Sequence, residues 1–559
     1  MRRPSLLAAT AALVLLALPG GAALGARSKP VAEVGGGIRL HAAGAAIPPS
    51  AYAALLASRS ARPAAATPLV GTLRNWLALD ERTNGYERKP FTLAASGDHI
   101  EVWIANELAF PAGDCRNTAN GGARVAVTAQ QAAFIGQQFD QTIYPRESAA
   151  LSVAPPRDGS RARANLAVYA PAGEGDNVVV LIDNVRDESF YDRDNAGNKP
   201  YIAGFFDPEV VEFFDRNVVT LDAYDWIHRT GPNPPHEPDA ANLCRTAPAR
   251  PFLYESTFAH EYQHLLEYYE DPNEDTWVDE GLADLAQRIT GYVDARRSIR
   301  QTGYDVHVQC FLGWLGVRTA ANPNPHPGGP ENSLTRWDEH SADEVLCDYG
   351  AAYTFMEFLS GRYGMRFIRE LHRDDASGLD GLRSVLRRFH IDATPASLVR
   401  DWSAAMALDG VLDRGAPFAG GRSRYRVPTL DAAINWATPL AYARAGAPPN
   451  GSDFVRLRAA NGRFLRARLL RTLRFTGAPS ASFSLRLVAY SSTGRQRARL
   501  ATVPLRRGRA SIGPRALRRL VGRTADVAAA LVTVTDASGR ARAYERYRLT
   551  VNGVRQPGG

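Results

Sequence analysis

His260, Glu261 and His264 stand in the run Phe258-Ala259-His260-Glu261-Tyr262-Gln263-His264-Leu265-Leu266, and Glu280 and Asp284 follow in Trp277-Val278-Asp279-Glu280-Gly281-Leu282-Ala283-Asp284. On a helix, side chains four residues apart project from one face, a turn apart. Two imidazoles so placed can share one tetrahedral metal ion, and a histidine–carboxylate set of this kind suits zinc. Glu261 adjoins His260 and can approach the open coordination position without filling it, where an attacking water needs a general base. The third ligand is expected to be a carboxylate from a second element. Glu280 is the candidate and Asp279 its nearest rival. Asp284, one turn beyond Glu280, is placed to accept a hydrogen bond from a ligand histidine and fix its tautomer. Such a set performs metal-assisted hydrolysis of a peptide bond.

The elements that must position these groups are two helices and the turn between them. Glu270-Asp271-Pro272-Asn273 ends the first helix near Tyr269, because proline lacks a donor and restricts its predecessor. A second helix starting near Thr276 would run back and present Glu280. In the layout that uses a third histidine, a glycine turns the chain three residues after the second one. Glu267 and Glu270 fill the corresponding places here, which favours the glutamate-ligand class, the gluzincins.

The segments AHEYQHLLEY and TWVDEGLADLAQ resemble the hyicolysin-type secreted metallopeptidases, whose pattern is AHEFQH followed by W-x-(N or D)-E-(G or A)-L-(A or S). The likeness extends more loosely from about Gly97 to about Asp413 and leaves the last part of the chain outside. It implies that His260, His264 and Glu280 bind zinc and that Glu261 is the catalytic base. Asp284 matches the aspartate that supports a ligand histidine in thermolysin-like enzymes. The separation of Glu280 from His264 is shorter than in those enzymes. Gluzincins also place a tyrosine opposite the zinc, where its hydroxyl meets the developing oxyanion. Tyr349, in a Y-x-x-small pattern, is the candidate, Tyr353 the runner-up, and aromatic core packing the competing reading.

Composition bounds the setting. Arg2 and Arg3, the apolar stretch Leu6 to Leu18 and the small residues of Ala23-Leu24-Gly25-Ala26 read as a secretory signal over 1–26. No later stretch approaches eighteen consecutive apolar residues, so an extracellular, secreted chain without a transmembrane segment is expected. Four cysteines, Cys115, Cys244, Cys310 and Cys347, allow two disulfides in three pairings, with Cys310–Cys347 favoured because both flank one helical region. The net charge of +8 is uneven, since the segment after Asn450 carries 23 arginines against Asp453, Asp526, Asp536 and Glu545.

Along the chain, residues 27–95 are rich in alanine, proline and glycine and read as a leader or pro-segment followed by an entry strand. Residues 96–300 read as the upper lobe of a zincin. They carry strands at His99–Ile104, in two runs between Asn165 and Ile182, and at Asn217–Leu221, a helix at Ala129–Phe139, and then the HExxH helix. Asp192-Arg193-Asp194-Asn195-Ala196-Gly197-Asn198 has the oxygen spacing of a calcium loop without its closing glutamate. A polar hairpin turn is the alternative, with Tyr201–Phe206 as the returning strand and a candidate edge for pairing with extended substrate. Residues 301–415 read as a helical lower lobe, with helices over Tyr349–Leu359, Phe367–Phe389 and Pro395–Leu412. From 416 to 559, short alternating runs separated by turns such as Asn450-Gly451 and Asn461-Gly462 indicate a basic β-sandwich accessory domain. The expected class is therefore α+β: a two-lobed zincin-like metallopeptidase with a C-terminal all-β domain.

The leading functional reading is a secreted zinc endopeptidase acting on protein or peptide substrates. No GxMEN-like element for reading a free amino terminus precedes His260, which favours endopeptidase over exopeptidase action on the same fold. The reading from another class is a non-catalytic surface-binding protein with a structural zinc site, which the retention of Glu261 opposes. The arginine excess suits an anionic cell-surface polymer or a solvated face. No aromatic-interleaved basic motif marks nucleic acid.

Overall fold

The computed structural model describes residues 31–32, 68–163, 169, 175–192, 201–437 and 446–558, apart from short breaks at 84, 119–123, 240, 243, 324, 327, 338–341 and 542. The expected signal segment, all of the leader between 33 and 67, and the candidate calcium loop beyond Asp192 lie outside the described residues.

Alternating strands at one side and continuous apolar runs at the centre build a seven-stranded sheet. β1 (Val31–Ala32), β2 (Leu73–Asp80), β3 (Gly85–Ser96), β4 (Ile100–Ala105), β5 (Val178–Asp183), β6 (Ile202–Phe206) and β7 (Val218–Asp222) lie in the order β1-β6-β7-β5-β4-β3-β2. β4, β5 and β7 run parallel, while β2, β3 and β4 form an antiparallel meander. β6 returns antiparallel beside β7, and β1 pairs antiparallel with its outer edge. The segment expected as a leader over 27–95 thus contributes the β2–β3 hairpin to the sheet. Trp76, Ala78, Phe91 and Leu93 anchor that hairpin as fully buried side chains.

β5 is buried throughout, as a parallel strand covered on both faces must be. Val178, Val180 and Ile182 pack towards α1 (Ala129–Gln138) and α2 (Leu253–Glu270), meeting Ile135, Phe139, Phe258 and Tyr262. Val179 and Leu181 face the other way, with Trp76, Trp103 and Phe214. The HExxH segment is therefore a buried helix crossing beneath the sheet against β6 and β7. It ends where Pro272 was expected to stop it, and α3 (Thr276–Thr290) turns back along it.

Beyond α3 come α4 (Val306–Phe311), α5 (Ala342–Tyr363), α6 (Met365–His372), α7 (Gly378–Arg388) and α8 (Pro395–Asp413). The helical stretch expected over 367–389 is two helices broken at Arg373–Ser377. α8 begins at the expected cap, with the Thr394 hydroxyl accepting from the Ser397 amide at 3.2 Å. Two glycines allow close helix contact around the site. A methyl group at Gly281 would meet Met356 Cγ at 2.9 Å and the Ala352 carbonyl oxygen at 3.1 Å, and one at Gly350 would overlap the His307 carbonyl. α3 and α4 thereby approach α5 closely on either side of Tyr349.

The C-terminal part has two sheets. β10 (Phe483–Tyr490) lies between β11 (Arg499–Val503) and β13 (Val527–Val534), with β8 (Gly451–Arg456) packed on β13. The second sheet orders β12 (Arg509–Ile512), β9 (Leu473–Gly477), β14 (Tyr547–Val551) and β15 (Val554–Arg555). Leu473, Phe475, Leu485, Leu487, Val532 and Leu549 fill the space between. The region expected to be all-β also carries a two-turn helix, α9 (Pro514–Val521). It does not stand apart, because Val488, Tyr490 and Leu531 join the same core as Trp402 of α8. Cys115–Cys244 and Cys310–Cys347 are paired, with Cα separations of 6.0 and 4.8 Å. No helix among the described residues is long and apolar enough to cross a membrane.

Asp401 of α8 ties these regions together. Its carboxylate accepts from Arg362 at 2.9 Å and pairs with Arg424 at 2.7 Å and Arg486 of β10 at 3.2 Å. Burial works to raise its carboxyl, but hydrogen bonds and charge from Arg362 and Arg424 outweigh it and hold the group below its ordinary range. Asp401→Asn is expected to destabilise the protein by about 1–2 kcal/mol at neutral pH, since it removes the buried anion that three partly exposed guanidinium groups share. A depressed carboxyl contributes fully above the unfolded carboxyl range, near pH 4, and loses its contribution as pH falls through the folded value. Thermal midpoints of wild type and variant should therefore differ at pH 7 and converge in acid. A gap that persists unchanged into acid would contradict this account.

Candidate metal centre

α2 presents His260 and His264 on one face, with ring centroids 4.7 Å apart, and α3 brings Glu280 against them. One nitrogen of each histidine and one Glu280 oxygen lie within 4.8 Å of one another, and all three residues are buried. Glu280 Oε2 is 3.2 Å from His260 Nε2 and 3.3 Å from His264 Nε2. Burial opposes ionisation of Glu280, yet the charges and hydrogen bonds of His264 and His260 hold its carboxyl well below the usual range.

The outward nitrogens of both rings are held by carboxylates. His260 Nδ1 lies 3.0 Å from Asp284 Oδ1, and His264 Nδ1 lies 2.7 Å from Asp279 Oδ1. An ionised carboxylate only accepts, so each ring presents Nδ1–H to it and turns an Nε2 lone pair inward. Asp279, expected as the alternative to Glu280, stands on the outer side of His264, away from the inward-facing nitrogens. Burial alone would lower both histidines. The hydrogen bonds to Asp284 and Glu280 raise His260 instead, and the charges of Asp279 and Glu280 raise His264 well above its ordinary value.

Glu261 projects into the same space. Its two carboxylate oxygens are buried with no close hydrogen-bond partner among the described residues, and burial, only partly offset by His260 and His264, pushes its carboxyl up to about 7. Glu280 Oε1 and the Tyr349 hydroxyl are likewise buried with no close hydrogen-bond partner among the described residues. Unsatisfied polar atoms rarely gather in a protein interior unless something else completes them. Two inward imidazole nitrogens and a carboxylate fit the donor set of a divalent zinc ion, and the Glu261 and Tyr349 oxygens fit groups that hydrogen-bond around it.

Tyr349 reaches this centre from α5, with its ring 6.1 Å from that of His260 and 4.8 Å from that of His307. Burial first, then the charges of Glu280 and Asp284, push its phenol well above the ordinary value. After burial, Tyr353 responds first to Glu357 and Asp305, one turn further from the centre.

Sequence reasoning missed His307 and Gln287. His307 Nδ1 donates to Asp284 Oδ2 at 2.7 Å, and the Gln287 amide donates to Asp284 Oδ1 at 2.7 Å. Gln287 was within reach of spacing arguments, lying one turn beyond Asp284. His307 sits on a different helix, and nothing local announces it. A second buried chain runs from Ser152 Oγ to His372 Nε2 at 2.8 Å and from His372 Nδ1 to Glu267. Its order resembles a nucleophile–base–acid relay, but none of the three is more than 3% exposed, so it pins α2 to α6 with no opening to a substrate.

No family model matches the chain. The neutral metalloprotease ShpI of Staphylococcus hyicus is 24% identical over 348 residues, an alignment covering 60% of this chain and 62% of that protein. The chain thus spans less than two thirds of the length of this relative.

Proposed function

We propose that this protein is a secreted zinc-dependent endopeptidase. The observation that carries the reading is the convergence of His260, His264 and Glu280 within 4.8 Å, beside a buried Glu261 carboxylate with no close hydrogen-bond partner among the described residues. The distant likeness to a neutral metalloprotease supports it, as does the mixed α and β architecture.

His260, His264 and Glu280 would hold the ion, and Asp284 and Asp279 would keep both imidazoles in the binding tautomer. Zinc, when bound, supplies Lewis acidity towards the substrate carbonyl and acidifies water. Glu261 takes a proton from the attacking water and returns it to the leaving amine. The Tyr349 hydroxyl donates to the oxyanion that develops on the scissile carbonyl. His307 acts through Asp284, fixing the rotation of the carboxylate that orients His260. The basic C-terminal part would hold the enzyme at an anionic cell-surface polymer.

Casein hydrolysis by the purified chain, with and without a zinc chelator, tests the peptidase reading. The expected result is hydrolysis that chelation removes and added zinc restores. A folded, zinc-loaded protein that leaves casein and a broad peptide library intact would overturn it.

A further inference from the structure

The outer face of the sheet β12-β9-β14-β15 carries a patterned array of arginines and hydroxyls. The burial pattern alternates cleanly. Leu473, Phe475, Tyr547, Leu549 and Val551 point into the core, while Arg474, Thr476, Arg509, Ser511 and Arg548 are exposed and Thr550 is half-buried. The strand register sets these outward residues in two rows. Arg509, Thr476 and Arg548 lie opposite one another in the first, and Ser511, Arg474 and Thr550 in the second, which Arg555 continues. Each arginine therefore has a hydroxyl residue directly across from it and another arginine on the diagonal, about 8 Å away.

We propose that this face is a docking surface for a linear, phosphate-bearing polymer. The proposal deepens the cell-surface reading of the C-terminal part and is independent of the peptidase chemistry. Like charges gathered on one sheet face repel, and sheets ordinarily relieve this with interspersed carboxylates. Asp453 is buried on another strand, and Asp526, Asp536 and Glu545 all lie off these four strands. An arginine-rich composition accounts for arginine in place of lysine, but not for the absence of any acid from the face. Guanidinium forks match phosphate oxygens in pairs, and the hydroxyls between them add neutral donors. Charges repeating every 7–8 Å or so across a flat surface complement an extended chain of regularly spaced anions. The face offers no apolar side chain to enter a bilayer and no aromatic ring on which a base could stack, which sets membranes and single-stranded nucleic acid aside.

The test measures binding of the full chain to long-chain inorganic polyphosphate, with phosphatidylglycerol vesicles and oligothymidylate as the other arms. Wild type is compared with R474Q/R509Q/R548Q and with R515Q/R519Q/R523Q, which removes the same charge from exposed positions on and just after α9. Saturable polyphosphate binding is expected. The sheet-face variant should weaken it at least tenfold and flatten its salt dependence by about two to three charges, and the control should weaken it less than threefold. R474Q alone, at the centre of the array, should weaken it about threefold, which keeps the test open if the triple variant folds poorly. Equal losses in the two triple variants would reduce the effect to net charge and overturn the proposal. So would a wild type that does not bind polyphosphate, or one that binds vesicles or oligothymidylate more tightly through the same arginines.

Discussion

Glu261→Gln is expected to lower casein hydrolysis by about 10³-fold while zinc stays bound. Glutamine has nearly the same shape, so α2 and the two histidine rings should keep their places. What it lacks is a site that accepts and returns a proton. The native carboxylate can do both. Among the described residues its two oxygens have no close hydrogen-bond partner, so the substitution removes little that supports the fold. The measurement is kcat on casein or a quenched peptide, beside zinc content by atomic absorption on the same preparation. Retained zinc with collapsed turnover is the expected outcome. Turnover within tenfold of wild type in a zinc-loaded variant would remove Glu261 from the mechanism.

Glu280→Gln should produce the largest loss of zinc affinity among the carboxylate substitutions, on the order of 10³-fold, because a structural share of binding worth roughly 4 kcal/mol leaves with the anionic oxygen. Asp279→Asn and Asp284→Asn act on the far nitrogens of the histidines and should cost about 10- to 100-fold. Competition with a zinc-binding dye ranks the three. The ranking matters more than any single value, since Glu280 Oε2 touches both inward nitrogens whereas Asp279 touches only the outward nitrogen of His264. If Asp279→Asn were the most damaging change, the carboxylate assignments would have to be exchanged. Zinc should also raise the thermal midpoint of the wild type more than that of Glu280→Gln, because an ion that binds only the folded state stabilises it by mass action.

The helix pair was legible because its signals are local. The four-residue spacing of the histidines, the stop at Pro272 and the restart at Thr276 lie within one short stretch, and α2 and α3 form where that stretch placed them. The same held for β4, β5 and β7, whose strand patterns lie in short local runs. The β2–β3 hairpin was hidden by its surroundings. Its strands adjoin an alanine- and proline-rich segment, and Pro90 falls inside β3, where a missing donor argues against an interior strand. β9 and β12 are short and arginine-bearing, so their alternation carried little hydrophobic contrast. The role of Asp279 and the presence of His307 depend on how α2, α3 and α4 pack, which no spacing along the chain encodes.

The arrangement of α2 and α3 also bears on the order in which the chain acquires its structure. His260 and Glu280 are 20 residues apart, so the helical hairpin that joins them closes a short loop. The parallel pairing of Ile100 with Val178 must close one of roughly eighty residues, and loop-closure entropy grows with that length. Contacts of low sequence separation form early, and long-range parallel strand pairing is slow. The donor set for the ion is therefore available to a folding chain before the sheet that buries it is complete. Metal captured at that stage would lower the free energy of a partly folded hairpin and bias the later steps towards the native arrangement, so zinc would serve the chain as a folding nucleus before it serves any substrate.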